Sequence, residues 1–167
     1  MAAILLHGPF NETSRANPTL NFIEKYACTI DSLDLSSTPP SSFFSPFAVY
    51  HDAKGDVHIS APQIWSYLSR QFAPFSQIRH AVQEIRVVPE EEGRDVVYCE
   101  TLTHFRLHGD EEEIVVPRFF VWVVGMADEG MGTDGRWILE CRMFWDTGVI
   151  GRYVTERKKE ERLRAKG

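Results

Sequence analysis

Four long segments with the hydrophobic pattern of β-strands fill the second half of the sequence, and they leave few folds open to it. They span residues 77–89, 95–107, 114–126 and 136–146. The breaks between them are short and either polar or rich in glycine. Because short breaks between long strands permit hairpins but not crossover helices, the pattern predicts an antiparallel meander of four strands.

The first half of the chain predicts helices and one short hairpin. Apolar residues recur at helical spacing from Leu20 to Ile30. Strand-like segments at 47–51 and 57–59 predict the hairpin, and a second helical stripe follows, formed by Ile64, Trp65, Leu68 and Phe72. Helices followed by a run of strands indicate an α+β fold. We expect a curved, mainly antiparallel sheet wrapped around the N-terminal helices to form a conical pocket.

The length of 167 residues suits one domain. We divide the chain into an N-terminal extension at 1–16, an α+β cone domain at 17–151 and a charged tail or helix at 152–167. The formal net charge of −6 argues against a nucleic-acid partner, because such binding depends on clustered Lys and Arg. No apolar run approaches the length of a membrane span, so we expect no membrane association.

Three cysteines, Cys28, Cys99 and Cys141, include no CxxC pair, which is typical of reduced thiols and predicts a cytoplasmic protein. The sequence has no HxH or HExxH motif and no Cys/His ligand spacing, so we expect no metal. It also has no P-loop and no GxGxxG motif, and we expect no cofactor.

Strand alternation sorts the side chains of the meander into an apolar set and a mixed set. The mixed set combines charged groups with large aromatics: Glu100, His104, Arg118, Phe120, Trp122, Glu140 and Arg142. This set either lines the pocket or forms the convex face, where opposite charges would pair across strands. Aromatics and Arg are enriched at interfaces, so we expect a homodimer through the convex sheet face.

The candidates for chemistry are few. Asp31 closes the first helix, with Tyr26 about one turn before it; His80 and His104 lie on the first and second long strands. A strand histidine held by a helix carboxylate is the arrangement that a general base needs. The structural alternative is that the histidines are ordinary strand residues. Asp52, which precedes Ala-Lys-Gly, is either an alternative base or a turn residue.

The predicted pocket would bind a small apolar organic ligand. We expect its wall to be formed by large apolar side chains from the second helix and from the sheet: Trp65, Phe72, Phe75, Met143 and Trp145.

Three segments, taken in this order, resemble the SnoaL-like superfamily, which shares the cone-shaped fold of nuclear transport factor 2 and ketosteroid isomerase. They read PFAVYHDAKG at 46–55, IRHAVQEI at 78–85 and RMFWDT at 142–147. The resemblance covers roughly residues 17–151. It implies the conical α+β fold, but it is only weakly specific for a reaction.

The resemblance also implies roles for individual residues. Asp31 and His80 stand where scytalone dehydratase and the similar dehydrochlorinases carry their helix Asp and strand His. His104 falls where scytalone dehydratase has a second His. Asp52 stands where ketosteroid isomerase keeps its base, and Tyr26 stands near the tyrosine that stabilises the oxyanion.

Neither of these active sites is complete in this sequence. Ile30 replaces the tyrosine beside the helix Asp, Asp52 replaces another pocket tyrosine, and residues 119–123 lack the second acid of the isomerase. Asp146 resembles the late-strand Asp of polyketide cyclases.

We expect a cofactor-free dehydratase, cyclase or isomerase that uses His/Asp acid–base catalysis on an apolar metabolite of secondary metabolism. The alternatives are a ligand-binding domain and a dimerisation domain.

Overall fold

A seven-stranded sheet forms the frame of the structure, a computed structural model that describes residues 2–164. The strand order is β1-β4-β5-β6-β7-β2-β3, and all neighbouring strands are antiparallel except β7 and β2. The predicted α+β class with a curved, mainly antiparallel sheet is confirmed. The strands are β1 (Ile4–His7), β2 (Phe44–His51), β3 (Val57–Ile59), β4 (Phe75–Pro89), β5 (Asp95–Leu107), β6 (Ile114–Met126) and β7 (Arg136–Phe144).

Two helices, α2 (Pro18–Asp31) and α3 (Ala61–Phe72), pack their apolar faces against the concave side of the sheet. A short helix α1 (Glu12–Arg15) precedes them. Helix α2 begins at a side-chain cap, since Asn17 accepts a hydrogen bond from the backbone of Leu20 at 2.9 Å. It ends at Asp31, one residue after the apolar pattern, and Leu33 has a φ of +59°, which is incompatible with a right-handed helix.

The concave face combines residues that alternation alone assigns to different sets. Arg118 lies opposite Thr101, and Phe120 lies opposite Cys99. Directly opposite residues of an antiparallel pair share a face, and Arg118 is 3% exposed. The predicted grouping of Arg118, Phe120 and Trp122 with Glu100 and Arg142 is therefore wrong. Alternation gives the two faces of each strand, but the register between strands decides which faces meet.

A bulge in β7 also breaks the predicted alternation. Glu140 lies opposite Val123 and Ile138 lies opposite Val124, so Leu139 is the additional residue. Ile138 and Cys141 are consequently both fully buried, although uninterrupted alternation would place them on opposite faces. The side chain of Leu139 covers Gly125, where an added Cβ would lie 2.7 Å from its Cδ1 atom.

The convex side of β6 and β7, here called the outer face, carries apolar and charged side chains. Phe119 and Phe144 lie opposite each other with ring centroids 6.3 Å apart, and both are exposed. Glu140 and Arg142 form an ion pair of 2.7 Å on the same face. The homodimer that we expect through this face stays a prediction.

The two ends of the chain add elements to the cone. Strand β1, within the predicted extension at 1–16, pairs with β4 and forms one edge of the sheet. Helix α4 (Thr147–Arg164) begins before the predicted boundary at 152, and residues 165–167 of the predicted tail lie outside the described residues. Among the described helices, none is long and apolar enough to cross a membrane. The cytoplasmic location stays a prediction.

Candidate functional site

The last residue of α2 and a residue near the start of β4 form a tight pair. Oδ1 of Asp31 lies 2.5 Å from Nδ1 of His80, and Oδ2 accepts a hydrogen bond of 3.1 Å from the backbone N–H of His80. One carboxylate therefore fixes both the backbone and the ring of the same residue. The side chain of His80 is 9% exposed. This is the pair of residues that the sequence predicts to come together.

The register of the sheet turns His80 toward the helices. It lies opposite Thr103, which is fully buried, so both side chains belong to the concave face. The same register places His104, the next residue of β5, on the outer side.

Arg118 lies on the other side of the imidazole. Its Nη1 atom is 3.4 Å from Nε2 of His80, and Nη2 contacts the thioether of Met143. A guanidinium can only donate hydrogen bonds, so Nε2 is the acceptor in this contact. We therefore assign the neutral tautomer with its proton on Nδ1, directed at Asp31.

The surroundings of His80 favour the neutral ring. Burial lowers its pKa below the ordinary value of 6.5, and the positive charge of Arg118 lowers it further, whereas Asp31 raises it. The net direction is downward, so the ring is an unprotonated acceptor at neutral pH. A neutral, oriented imidazole is the form that a general base requires.

His80 and Arg118 face a small inner cavity of about 30 Å³ between α2, α3 and the sheet. A water molecule needs roughly 10–15 Å³ of such space, so this cavity has room for no more than two or three waters. The phenols of Tyr26 and Tyr50 also line it, and burial raises the pKa of both, which keeps them as neutral O–H groups. Most of the remaining wall is apolar, including Ile23, Ile30, Leu68, Phe72, Val82 and Phe120.

A larger outer cavity of about 460 Å³ opens between α3, the β2–β3 turn, the end of β5 and α4. Ligand pockets commonly have volumes of roughly 300–1,000 Å³. Its walls include both apolar and polar side chains, among them Asp52, Tyr67, Arg70, Gln71, Phe75, Phe105, Trp145 and Ile150. Phe105 and Trp145 also contact Arg118, with its guanidinium carbon 5.7 and 5.6 Å from the two ring centres. These two rings therefore lie between the outer cavity and the site of His80.

The structure separates Asp52 from His80. Its Oδ1 accepts backbone hydrogen bonds from Lys54 at 2.9 Å and Asp56 at 3.0 Å, and its Oδ2 lies 3.3 Å from Nε2 of His58. Burial raises the pKa of Asp52, but the hydrogen bonds from Lys54 and His58 outweigh burial and hold it below its usual value. These contacts are those of a turn residue, the structural alternative that the sequence left open.

His104 is not brought to the inner cavity. Its Nδ1 atom lies 3.0 Å from a carboxylate oxygen of Glu113, on the face of β5 that points away from the helices. The role of a second active-site histidine, which the family resemblance implies for His104, therefore does not fit its position, because alternation directs its side chain to the opposite side of the strand.

The predicted apolar wall is divided between different places. Phe72 lines the inner cavity, whereas Phe75 and Trp145 line the outer one. Trp65 packs in the core against Phe43 and Phe44, and its indole N–H donates to the carbonyl of Leu35. Met143 is 2% exposed and lies against Arg118 and Tyr50.

Sequence reasoning did not single out Tyr50 or Thr101, and it named Arg118 only within a set that lines either the pocket or the convex face. A signal for Arg118 was present, because it lies on the same strand face as Phe120 and Trp122 in an otherwise apolar segment. An arginine that shares a face with two large aromatics is typical of a buried or interfacial position. Within the described residues, no group of three or more His, Cys, Asp or Glu side chains is arranged to hold a metal ion.

Comparison with known structures identifies the fold. ActVI-ORFA from Streptomyces coelicolor is 12% identical, with a TM-score of 0.63, over 77% of this chain and 94% of that one. Hexachlorocyclohexane dehydrochlorinase LinA-type3 from Novosphingobium barchaimii is 10% identical, with a TM-score of 0.63, over 80% and 87%. Nuclear transport factor 2 from Cryptosporidium parvum is 10% identical, with a TM-score of 0.61, over 83% and 98%.

These similarities confirm the fold of nuclear transport factor 2 and its relatives, which the sequence resemblance implies. No family model and no curated protein sequence matches the chain. At identities this low the similarity establishes the fold and not the activity, because one fold carries many functions.

Proposed function

We propose that the chain is a cofactor-free lyase or isomerase in which His80 is the general base, Asp31 its positioning residue and Arg118 the group that stabilises developing negative charge. The observation that carries this proposal is the 2.5 Å contact between Asp31 and Nδ1 of His80. It leaves Nε2 as the basic atom, beside a guanidinium and a cavity. The fold is shared with a dehydrochlorinase, which supports an elimination reaction in such a site.

The geometry suits removal of a proton from carbon next to a carbonyl. Nε2 of His80 takes the proton, and the electron pair of the broken C–H bond moves toward the carbonyl oxygen. Arg118 stabilises the resulting oxyanion, and Asp31 stabilises the imidazolium. The imidazolium then returns the proton, either to a departing hydroxyl group, which eliminates water, or to another carbon, which isomerises the substrate. No redox or metal-dependent step is needed.

A ligand-binding role without chemistry is the second candidate. The observation that favours it is the difference in size between the two cavities. The inner cavity of about 30 Å³ at His80 holds no substrate-sized molecule, whereas the outer cavity of about 460 Å³ lies beyond Phe105 and Trp145. Catalysis therefore requires a side chain in the wall of the inner cavity to move so that a reacting carbon reaches Nε2.

The test uses a panel of cyclic β-hydroxy ketones and enolisable ketones, incubated with the protein in D₂O and followed by NMR. We expect deuterium uptake or loss of water for at least one compound, and a roughly 10²–10⁴-fold lower rate in His80→Gln. His104→Gln, on the side of β5 that points away from the helices, is the matched control and keeps the wild-type rate. Equal rates in wild type and His80→Gln, or binding without any exchange, contradict the enzyme proposal; binding alone favours the carrier.

A further inference from the structure

Arg118 is a buried cation without an acidic partner. It is 3% exposed, and none of the carboxylates whose side chains the structure describes forms an ion pair with its guanidinium. Its Nε atom is buried and has no hydrogen-bond partner among the described residues. The two Nη atoms meet an imidazole nitrogen and a thioether, which are weak acceptors compared with a carboxylate.

Aromatic rings supply only part of the missing compensation. The guanidinium carbon lies 4.8 Å from the ring centre of Phe120, and Phe105 and Trp145 complete a three-sided aromatic cage. Cation–π contacts stabilise a buried charge, but they do not satisfy the N–H donors, which lie in the plane of the guanidinium. A buried, unpaired charge is strongly unfavourable, so proteins retain one where a partner of opposite charge binds.

We propose that the substrate carries an oxyanion, a carboxylate or an ionised enol or phenol, that binds Arg118 next to His80. This inference rests on the proposed function for the location of the chemistry and adds the charge of the substrate. The planar guanidinium presents parallel N–H donors, which match the two oxygens of a carboxylate. Phe105, Phe120 and Trp145 form apolar walls around the charge.

The sizes of the two cavities indicate where the rest of the ligand binds. The inner cavity of about 30 Å³ accommodates little more than the anionic group, so the body of the ligand lies in the outer cavity of about 460 Å³. Trp145 and Gln71 line that cavity, and Nε1 of the first and Oε1 of the second are buried without hydrogen-bond partners among the described residues. One donor and one acceptor beside aromatic walls suit an acidic ring compound with a neutral polar substituent.

Three probes of similar shape separate the effect of ligand charge on binding from the effect of ligand size. They are benzoate, benzamide and 4-nitrophenol. Calorimetric titration at pH 7.5 measures the Kd of the first two. We expect wild type to bind benzoate roughly tenfold or more tightly than benzamide, because only benzoate pairs with the guanidinium. His80→Gln keeps this preference, since the anion contacts Arg118 and not the base.

The third probe distinguishes the two kinds of oxyanion. The visible absorbance of its phenolate reports the apparent pKa of bound 4-nitrophenol. A lowered pKa in wild type indicates that ionised phenols and enols bind, whereas benzoate binding alone assigns the site to carboxylates. Either outcome supports an oxyanion.

Arg118→Met removes the charge, and Arg118→Lys retains it without the forked geometry. We expect the benzoate preference to vanish in Arg118→Met and to weaken in Arg118→Lys; circular dichroism verifies that both are folded. The inference is overturned if wild type neither prefers benzoate over benzamide nor lowers the pKa of bound 4-nitrophenol, or if either effect persists in Arg118→Met. Anion binding without turnover contradicts the proposed function alone, and turnover of neutral ketones without anion binding contradicts this inference alone.

Discussion

The imidazole of His80 lies between a carboxylate and a guanidinium: Nδ1 is 2.5 Å from Oδ1 of Asp31, and Nε2 is 3.4 Å from Nη1 of Arg118. The two neighbours act on the ring in opposite directions, since Asp31 raises its pKa and Arg118 lowers it. Burial adds to the effect of Arg118, and the ring is held neutral. This arrangement fixes the tautomer and leaves Nε2, which accepts a hydrogen bond from Arg118, as the basic nitrogen.

Asp31→Asn tests whether the carboxylate positions the base. The substitution keeps the size of the side chain but removes the charge that stabilises the imidazolium, so we expect turnover to fall at least about tenfold. The pKa of His80 also falls, because Asp31 raises it. The acid limb of the pH–rate profile therefore moves to lower pH, which a purely structural role of Asp31 does not produce. An unchanged profile contradicts the positioning role.

The stability of the protein should decrease as the pH falls, in a way that depends on His80. Its pKa is lowered in the folded state, so below the ordinary value of 6.5 the unfolded chain binds more protons than the folded chain. The free energy of unfolding consequently falls as the pH drops through this range. Urea denaturation at pH 7.5, 6.5 and 5.5 measures it, and His80→Gln should show a smaller decrease. Identical slopes for both proteins contradict a buried neutral ring.

Asp52→Ala separates the turn residue from the alternative base. The substitution removes the acceptor for the backbone N–H groups of Lys54 and Asp56, so we expect the free energy of unfolding to fall by about 1 kcal/mol. Turnover per folded molecule should fall far less than in His80→Gln, because Asp52 lines the outer cavity and not the inner cavity at His80. A rate loss as large as that of His80→Gln, at unchanged stability, assigns the base to Asp52 instead.

Phe144→Glu tests the homodimer that we expect through the outer face. Phe144 is 53% exposed and faces Phe119, and charges of both signs lie beside them on Glu140 and Arg142. A face with both signs of charge can pair with a second copy of itself. Light scattering should show a dimer for wild type and a monomer for the variant. Leu5→Glu at the distant edge strand is the control, and a monomeric wild type contradicts the prediction.

The sequence predicts the strands well because their signal is local. Strong alternation and polar breaks place the predicted segments 95–107 and 114–126 at the bounds of β5 and β6. The register between strands is not local, and for this reason Arg118 falls in the wrong predicted group. For the bulge at Leu139, the sequence gives only a weak indication: the glycine at position 125 leaves space for the side chain of Leu139.

The candidate site is predictable only in part for a similar reason. Asp31 and His80 are in contact although they lie 49 positions apart in the sequence. The family resemblance indicates this contact, whereas hydrophobic periodicity does not. The sequence does not distinguish His80 from His104, since both lie on long strands. The fold separates them, because the register turns one toward the helices and the other outward. The division of the pocket by Phe105 and Trp145 depends on side-chain packing and has no sequence signal.

The tautomer and pKa of His80, read from the ¹⁵N and ¹H resonances of its ring during a pH titration, test the account most directly. We predict a neutral ring at pH 7 with its proton on Nδ1 and a titration midpoint below 6.5. Arg118→Met should raise this midpoint, and Asp31→Asn should lower it. A ring that is protonated at pH 7, or a neutral ring with its proton on Nε2, contradicts the proposed base.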